Sequence, residues 1–269
     1  MRNLLCILCA LASAVAFTPI PAMRRPRVAC CARRCSAKPL HALASAPAAS
    51  VVITDMDETL ISKKSTGYVI AFLWHYRAFM RILFLLPPLF PILKLLSQFS
   101  RKAAVKLMYF FAFRGLSVER AKRVADEQLS PQYVRDLQDP AASAVLGADA
   151  AVIITASPSF MARPWLRKYL GVPATNVYGA ELVEINGRFT GFLTGDIPMG
   201  ETKVDLLKES CAAGAEFTTG FGDHHTDVPF LRACNRGVLV AKLPESEAAG
   251  CEYVAAGPFD MAKLPSPIS

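Results

Sequence analysis

The chain has 269 residues, 30 Lys and Arg against 22 Asp and Glu, and a formal charge of +8. Seven of the bases and none of the acids fall in the first 50 positions, so the remainder is near neutral, with 23 bases and 22 acids. The net charge therefore gives no reason to expect a nucleic-acid partner, and none is assigned. Of eight cysteines, Cys6, Cys9, Cys30, Cys31 and Cys35 also lie in that leader. Cys211, Cys234 and Cys251 remain, an odd number without metal-like spacing, which points to neither a disulfide framework nor a zinc site.

Residues 1–16 have one arginine, Arg2, an apolar run from Leu4 and a small-x-small ending, Ala14-Val15-Ala16, the pattern of a secretory signal peptide. Residues 17–48 open on Phe17, contain Arg24, Arg25, Arg27, Arg33, Arg34 and Lys38, and have no acid, as in a transit peptide. The two together are similar to the bipartite leaders of plastid proteins in algae with secondary plastids, which implies a plastid protein. The alternative is a plain secretory signal with a basic linker, and with it the secretory pathway or endoplasmic reticulum. About 220 residues follow, enough for one core with an inserted cap, and no internal repeat is present.

Val51-Val52-Ile53-Thr54 reads as a buried strand that stops at two carboxylates, Asp55 and Asp57. At the C-terminal end of a strand in an α/β sheet, such side chains project into the crevice where ligands bind. Two like charges this close either split their pKa values or are held together by a cation, and Mg²⁺ suits a carboxylate set. Taken alone, the pair would serve equally well as a turn or a helix cap.

Residues 66–138 form an apolar insert, expected to be a helical cap. No acid occurs between Glu58 and Glu119, while Arg77, Arg81, Lys94, Arg101, Lys102 and Lys106 punctuate the apolar runs. The central charge-free run, Ile82 to Leu93, has twelve residues and three prolines, short of the ~20 that a spanning helix needs. Helices apolar on one side and cationic at their edges fit a membrane surface; the alternative is a cap that spends its apolar face on the core. His75, alone here, is given no role. Ser117 predicts an N-cap for a helix running to about Leu129.

Ala150 to Thr155 is a second buried strand, ending in Thr155-Ala156-Ser157 before a helix, where a hydroxyl and free N–H groups can hold phosphate oxygens. Met161, Trp165, Leu166 and Leu170 are read as the core side of that helix. Asn186-Gly187 predicts a type I′ hairpin. Lys203 lies in the first turn of the next helix, and a third strand-like run ends in Gly222-Asp223-His224-His225-Thr226-Asp227. The two histidines are neighbours whose side chains diverge, and they are not expected to bind metal. No element is assigned to 257–269.

Asp55-Met56-Asp57-Glu58-Thr59 resembles motif I, Asp-x-Asp-x-Thr, of the haloacid dehalogenase superfamily. Thr155, Lys203 and Gly222-Asp223-His224-His225-Thr226-Asp227 resemble motifs II, III and IV in the same order. The resemblance implies an α/β fold: a doubly wound parallel sheet over 49–65 and 139–269, with the helical cap inserted. It also implies a phosphatase, a hydrolase of phosphomonoesters, that works through an aspartyl phosphate. In that role Asp55 is the nucleophile and Asp57 the general acid and base. Thr155, Ala156 and Lys203 bind the phosphate, and Asp55, Asp57 and Asp223 hold Mg²⁺. Thr59, Gly222 and Asp227 support the site, Gly222 by allowing a sharp turn.

Within that superfamily the chain looks like the phosphoserine phosphatase subgroup. It is most similar to the phosphatase-like N-terminal domain of plant glycerol-3-phosphate 2-O-acyltransferases. The match is carried by Thr155-Ala156-Ser157-Pro158, Tyr169-Leu170-Gly171-Val172, Gly179-Ala180-Glu181-Leu182, Gly187-Arg188-Phe189-Thr190-Gly191 and the apolar insert. It implies a lysophosphatidic acid or glycerolipid phosphate as substrate and a membrane surface as partner. Those acyltransferases need His-x-x-x-x-Asp, but Ala46, Met80, Pro229 and Phe230 stand five positions after the four histidines. The chain is therefore not expected to transfer acyl groups itself, which leaves room for a separate acyltransferase partner. Two alternatives stay open, an enzyme acting on soluble phosphoserine and a catalytically idle membrane scaffold.

Overall fold

The computed structural model describes residues 50–84, 88–210, 215–248 and 250–268; the expected leader and Cys211 lie outside them. The chain enters through β1 (Ser50–Thr54) and passes into a helical segment. This comprises α1 (Ser65–His75), α2 (Phe79–Phe84), α3 (Phe90–Phe99), α4 (Arg101–Phe113), α5 (Val118–Val124), a π-helical turn (Ala125–Leu129) and α6 (Ser130–Arg135). The chain returns through β2 (Gln138–Asp139) and α7 (Ala141–Gly147) to β3 (Ala150–Pro158), α8 (Ser159–Leu170) and β4 (Val177–Ala180). The hairpin β5 (Leu182–Ile185) and β6 (Arg188–Leu193) follows, then α9 (Glu201–Glu209), β7 (Phe217–Gly222), α10 (Val228–Arg232) and β8 (Arg236–Leu239). Last come α11 (Glu245–Ala248), β9 (Glu252–Tyr253) and β10 (Gly257–Pro258).

Six strands form one sheet in the order β4-β3-β1-β7-β8-β9, and every neighbouring pair is parallel. This is the doubly wound α/β sheet expected. Because β1 lies inside it, Val51 to Thr54 are all buried, and alternate side chains serve opposite faces. Val52 packs with α1, α7 and α8, whereas Val51 joins Leu207, Val228 and Leu231 of α9 and α10. Thr54 is in register with Ile153 of β3 and Phe221 of β7. β1 thus ends beside Ile153 and Phe221, while β7 runs on to Gly222 and β3 to Pro158, and Asp55, Ala156 and Asp223 come to the same end of the sheet.

The expected helix from Ser117 forms, with the Ser117 hydroxyl accepting from Arg120 N at 3.5 Å, and it continues through the π-helical turn to Arg135. Met161, Trp165, Leu166 and Leu170 are buried on α8. Asn186 and Gly187 both have positive φ, 49° and 71°, as a type I′ turn requires. That hairpin grips the insert: Gly115 N donates to Phe189 O, Phe189 N to Leu116 O and Val118 N to Gly187 O, at 2.6, 3.0 and 2.9 Å. Held there, α4 crosses the sheet edge, and Tyr109 Oη donates to Ala156 O at 2.8 Å. Residues 257–258, given no element above, pair with β2, and Phe259 is buried behind them. Cys234 and Cys251 are free thiols. Among the described residues no helix is long and apolar enough to cross a membrane.

Candidate active site

Asp55 directly follows β1, its N–H bonded to Phe221 O of β7 at 3.0 Å. Its carboxylate sits at the floor of a cavity of ≈ 230 Å³ whose walls include Asp57, Lys203, Asp223 and Asp227. Lys203, in the first turn of α9, is 4% exposed. Its Nζ donates to Asp55 Oδ1 and to Asp227 Oδ1, both at 2.6 Å. Asp227 uses its other oxygen to accept from the N–H groups of Asp223 and His224, each at 3.3 Å. One lysine and two backbone amides therefore fix the loop after β7.

Gly222 is needed here for close approach, not for a sharp turn. A Cβ at this position would lie 2.7 Å from Asp227 Cβ and 3.1 Å from its Oδ2. Thr59, fully buried, donates to Asp223 Oδ1 at 3.3 Å and so ties the loop after β1 to the loop after β7. Between Asp57 and Thr59 the backbone passes through Glu58 at φ 56°, a left-handed conformation costly for a residue with a Cβ. The Gln138 side-chain amide braces it by donating to Glu58 O at 2.6 Å and Thr59 O at 3.0 Å.

Asp57 faces a different set of partners. Its Oδ2 accepts from Ser65 N at 2.9 Å, at the start of α1, and from the Ser65 hydroxyl. Its Oδ1 accepts from Ser157 Oγ at 3.4 Å, and the two serine hydroxyls are themselves hydrogen-bonded. The carboxyl thus accepts at the N-terminus of α1 and makes no hydrogen bond to Lys203. The carboxylate oxygens lying within 4.8 Å of one another are those of Asp55, Asp223 and Asp227, without Asp57.

Thr155 lies within β3. It is fully buried, its Oγ1 accepts from Ser157 N at 3.1 Å, and the cavity wall at this point is Ala156. Ser157 was named from the sequence only as part of the Thr155-Ala156-Ser157 stretch, and Ser65 was not singled out. Tyr109 and Arg101, which line the cavity from α4, carried no signal inside an apolar insert. Arg101 Nη1 reaches His224 Nε2 at 3.2 Å, so His224 lies at the cavity rim. His75 pairs only with Gln132, at 2.9 Å.

Four carboxyls around one ammonium leave an excess of buried negative charge, and the protonation equilibria register it. Burial pushes Asp55 well above the usual carboxylate range; Lys203 opposes this, while Asp227, Asp57 and Asp223 add to it. Burial, then Asp227 and Glu58, push Asp223 up to about 7. Asp57 is raised by burial and held back by its hydrogen bonds from Ser65. For Lys203, burial alone would lower the pKa, but Asp55 and Asp227 more than offset it and keep the ammonium charged.

Such a donor set suits a hard divalent cation. Carboxylate oxygens of Asp55 and Asp223 lie close together, and Asp55 Oδ2 and Asp223 Oδ2 make no bond to another described residue. Asp227, by contrast, has both oxygens committed to Lys203 and the backbone. The donor chemistry fits Mg²⁺ at Asp55 and Asp223, with Asp227 orienting the lysine.

Comparison with known proteins agrees with this geometry. Residues 52–232 match the family model for haloacid dehalogenase-like hydrolases. The chain belongs to that family. It is 30% identical over 216 residues to the glycerol-3-phosphate acyltransferase RAM2 of Petunia hybrida, an alignment covering 79% of this chain and 42% of that protein. The chain thus spans less than half the length of this curated relative. Among solved structures, a Bordetella pertussis protein of unknown function has a TM-score of 0.58 at 20% identity, over 77% of this chain and 99% of that one. A substrate-bound phosphoserine phosphatase complex has a TM-score of 0.53 at 11% identity, over 77% and 94%. At these identities the structural likenesses establish the fold.

Proposed function

We propose that the protein is a Mg²⁺-dependent phosphomonoester phosphatase in which Asp55 forms a covalent aspartyl phosphate. The observation that carries this reading is Lys203 bridging Asp55 and Asp227 at the cavity floor, 2.6 Å from each. The lysine holds Asp55 through Oδ1 and orients its carboxylate for attack on phosphorus. As that bond forms, the phosphorus–oxygen bond to the leaving group breaks, and Asp57 gives its proton to the departing alkoxide. Asp57 then removes a proton from water, which attacks the aspartyl phosphate and releases inorganic phosphate and the free Asp55 carboxylate. The ammonium of Lys203 stabilises the equatorial phosphoryl oxygens throughout. A bound divalent cation at Asp55 and Asp223 would supply further neutralisation of phosphoryl charge.

The substrate class we propose is a lysophosphatidic acid or related glycerolipid phosphate. Above the aspartates the wall is formed by Val105, Met108, Tyr109 and Met199, with Arg101 and Lys64 as cations. The name of the Petunia relative, an acyltransferase of glycerol 3-phosphate, agrees with such a substrate. A soluble amino-acid phosphate would call for a free acid beside Arg101. Glu58, the acid at the cavity outside the aspartate cluster, is instead paired with Lys64 at 3.1 Å. The same relationship supports a separate acyltransferase as partner, and the composition of residues 1–48 supports a plastid location.

The test is phosphate release by the full chain with Mg²⁺ from an aryl phosphate, lysophosphatidic acid, glycerol 3-phosphate and phosphoserine. We expect aryl phosphate and the lipid to be hydrolysed, and Asp55→Asn to be inert on both. Equal inertness of wild type and variant on the whole panel would leave the idle-scaffold reading in its place.

A further inference from the structure

The helical insert presents to solvent an apolar surface that the rest of the fold does not use. Helix α3, with the sequence Phe-Pro-Ile-Leu-Lys-Leu-Leu-Ser-Gln-Phe, has no buried residue although seven of its ten side chains are apolar. Phe99 is 78% exposed, and Phe90, Ile92 and Leu95 are also exposed. Trp74 on α1 and Phe79, Met80 and Leu83 on α2 are exposed as well, Met80 being 63% exposed. Exposing this many large apolar side chains on connected helices marks a surface built to be covered.

The charge around the surface says what covers it. No acid occurs from Thr59 to Val118. Several cations of the insert are held within the fold: Arg81 donates to the carbonyls of Phe111, Ala112 and Arg114, and Lys102 and Lys106 pair with Asp196. Lys94, on α3 itself, and Arg77, between α1 and α2, form no ion pair among the described residues. A second copy of the chain related by a twofold axis would set these cations against their own equivalents. A surface of anionic headgroups over acyl chains meets both features, since apolar side chains enter the boundary and lysine and arginine reach back to phosphate. The helices are too short to span a bilayer, which leaves them lying in its surface.

We propose that the outer face of this insert, centred on α3, docks on an anionic phospholipid membrane. The docking places the catalytic mouth at the lipid surface. Phe99, the most exposed of these side chains, is two residues from Arg101, which lines the cavity together with Val105 and Met108 further along α4. A phosphomonoester whose chain stays in the bilayer can therefore lift its headgroup past α4 to Asp55. This last step rests on the phosphatase reading; the docking itself does not.

The experiment is co-sedimentation of the full chain with vesicles of phosphatidylcholine and phosphatidylglycerol, comparing wild type with the triple variant Phe90→Glu, Leu95→Glu, Phe99→Glu. Wild type should sediment with the vesicles, and the triple variant should lose on the order of tenfold or more in partition. Both should hydrolyse a soluble aryl phosphate at the same rate and share one unfolding midpoint, because none of the three side chains is buried. A second variant, Lys94→Glu with Arg77→Glu, should weaken binding to these vesicles and leave the weaker binding to pure phosphatidylcholine unchanged. Equal sedimentation of wild type and triple variant overturns the proposal, as does failure of wild type to sediment. So does a lipid-free dimer of wild type that the triple variant dissociates, which would assign the face to a second copy. If neither protein hydrolyses the aryl phosphate while the difference in sedimentation persists, docking stands and the phosphatase reading falls.

Discussion

Lys203 Nζ lies 2.6 Å from Asp55 Oδ1 although 148 residues separate the two in sequence, and both side chains are almost fully withdrawn from water. The C-terminal end of β1 and a helix starting at Glu201 bring them together. Desolvating both groups is costly, and the geometry compensates by giving the ammonium a second carboxylate, Asp227, at the same distance.

Removing the lysine should therefore harm both stability and catalysis. Lys203→Met leaves Asp55 and Asp227 without their cation in a buried site, and we expect a loss of about 3 kcal/mol, within the range found when one partner of a buried pair is deleted. Urea unfolding at pH 7.5 measures it, and phosphatase activity should vanish in the same variant. Unchanged stability would mean that the two aspartates do not depend on this ammonium.

Gly222 makes a packing prediction. Ala at this position places a methyl 2.7 Å from Asp227 Cβ, so Asp227 must move and release Lys203. Overpacking of this kind costs about 1–3 kcal/mol. Gly222→Ala should thus lower the unfolding midpoint and reduce kcat more than Asp227→Glu reduces stability. An Ala variant with wild-type kcat would contradict the role given to that close approach.

The serines that hold Asp57 are testable through pH. Ser65 donates to Asp57 through both its N–H and its hydroxyl, and these bonds hold the Asp57 pKa down against burial. Ser65→Ala removes the hydroxyl, so the Asp57 pKa rises. The limb of the pH–rate profile governed by Asp57 should move to higher pH, and kcat should fall by about tenfold with KM little changed. Loss of activity without displacement of either limb would make Ser65 a structural residue only.

Asp223 links stability, pH and metal. Its pKa near 7 in the metal-free site is above the ordinary carboxylate value of 3.8, so between those pH values the folded chain holds a proton that the unfolded chain has lost. Through this group, metal-free stability falls as pH rises across that window and levels off above 7. A cation binds the ionised form, and below pH 7 its apparent affinity should fall by about tenfold per pH unit. The rise in unfolding midpoint on adding Mg²⁺ should accordingly be larger at pH 8 than at pH 6. Asp223→Asn should remove the Mg²⁺ effect and be more stable than metal-free wild type at pH 8. An Mg²⁺ effect independent of pH would contradict this assignment.

How much of this was legible in the sequence follows from where each signal lies. Asp55 and Asp223 could be found because strands buried on both faces are recognisable and their ends face the ligand crevice, whereas Lys203 and Asp227 could be found only through the motifs they resemble and the order of those motifs. Asn186-Gly187 could be found because few residues accept positive φ. The partners of Asp57 could not, since Ser65 and Ser157 look like ordinary helix-capping residues and only tertiary structure turns both onto one carboxyl. The same holds for Thr155 and Ala156: one residue of strand alternation decides which faces the cavity. Tyr109 and Arg101 sit in an insert whose composition identified its apolar character without revealing that α4 faces inward while α3 buries nothing. Gly257 to Phe259 showed no pattern because a two-residue pairing with β2 is too short to leave one.

The central claim is that Asp55 carries the phosphoryl group. The most direct measurement is mass spectrometry of the enzyme acid-quenched during a single turnover with Mg²⁺ and a phosphomonoester. Phosphate should be found on the peptide containing Asp55, be released by hydroxylamine, and be absent from Asp55→Asn. Release of inorganic phosphate with no adduct at any time, or an adduct on another residue, would contradict the account.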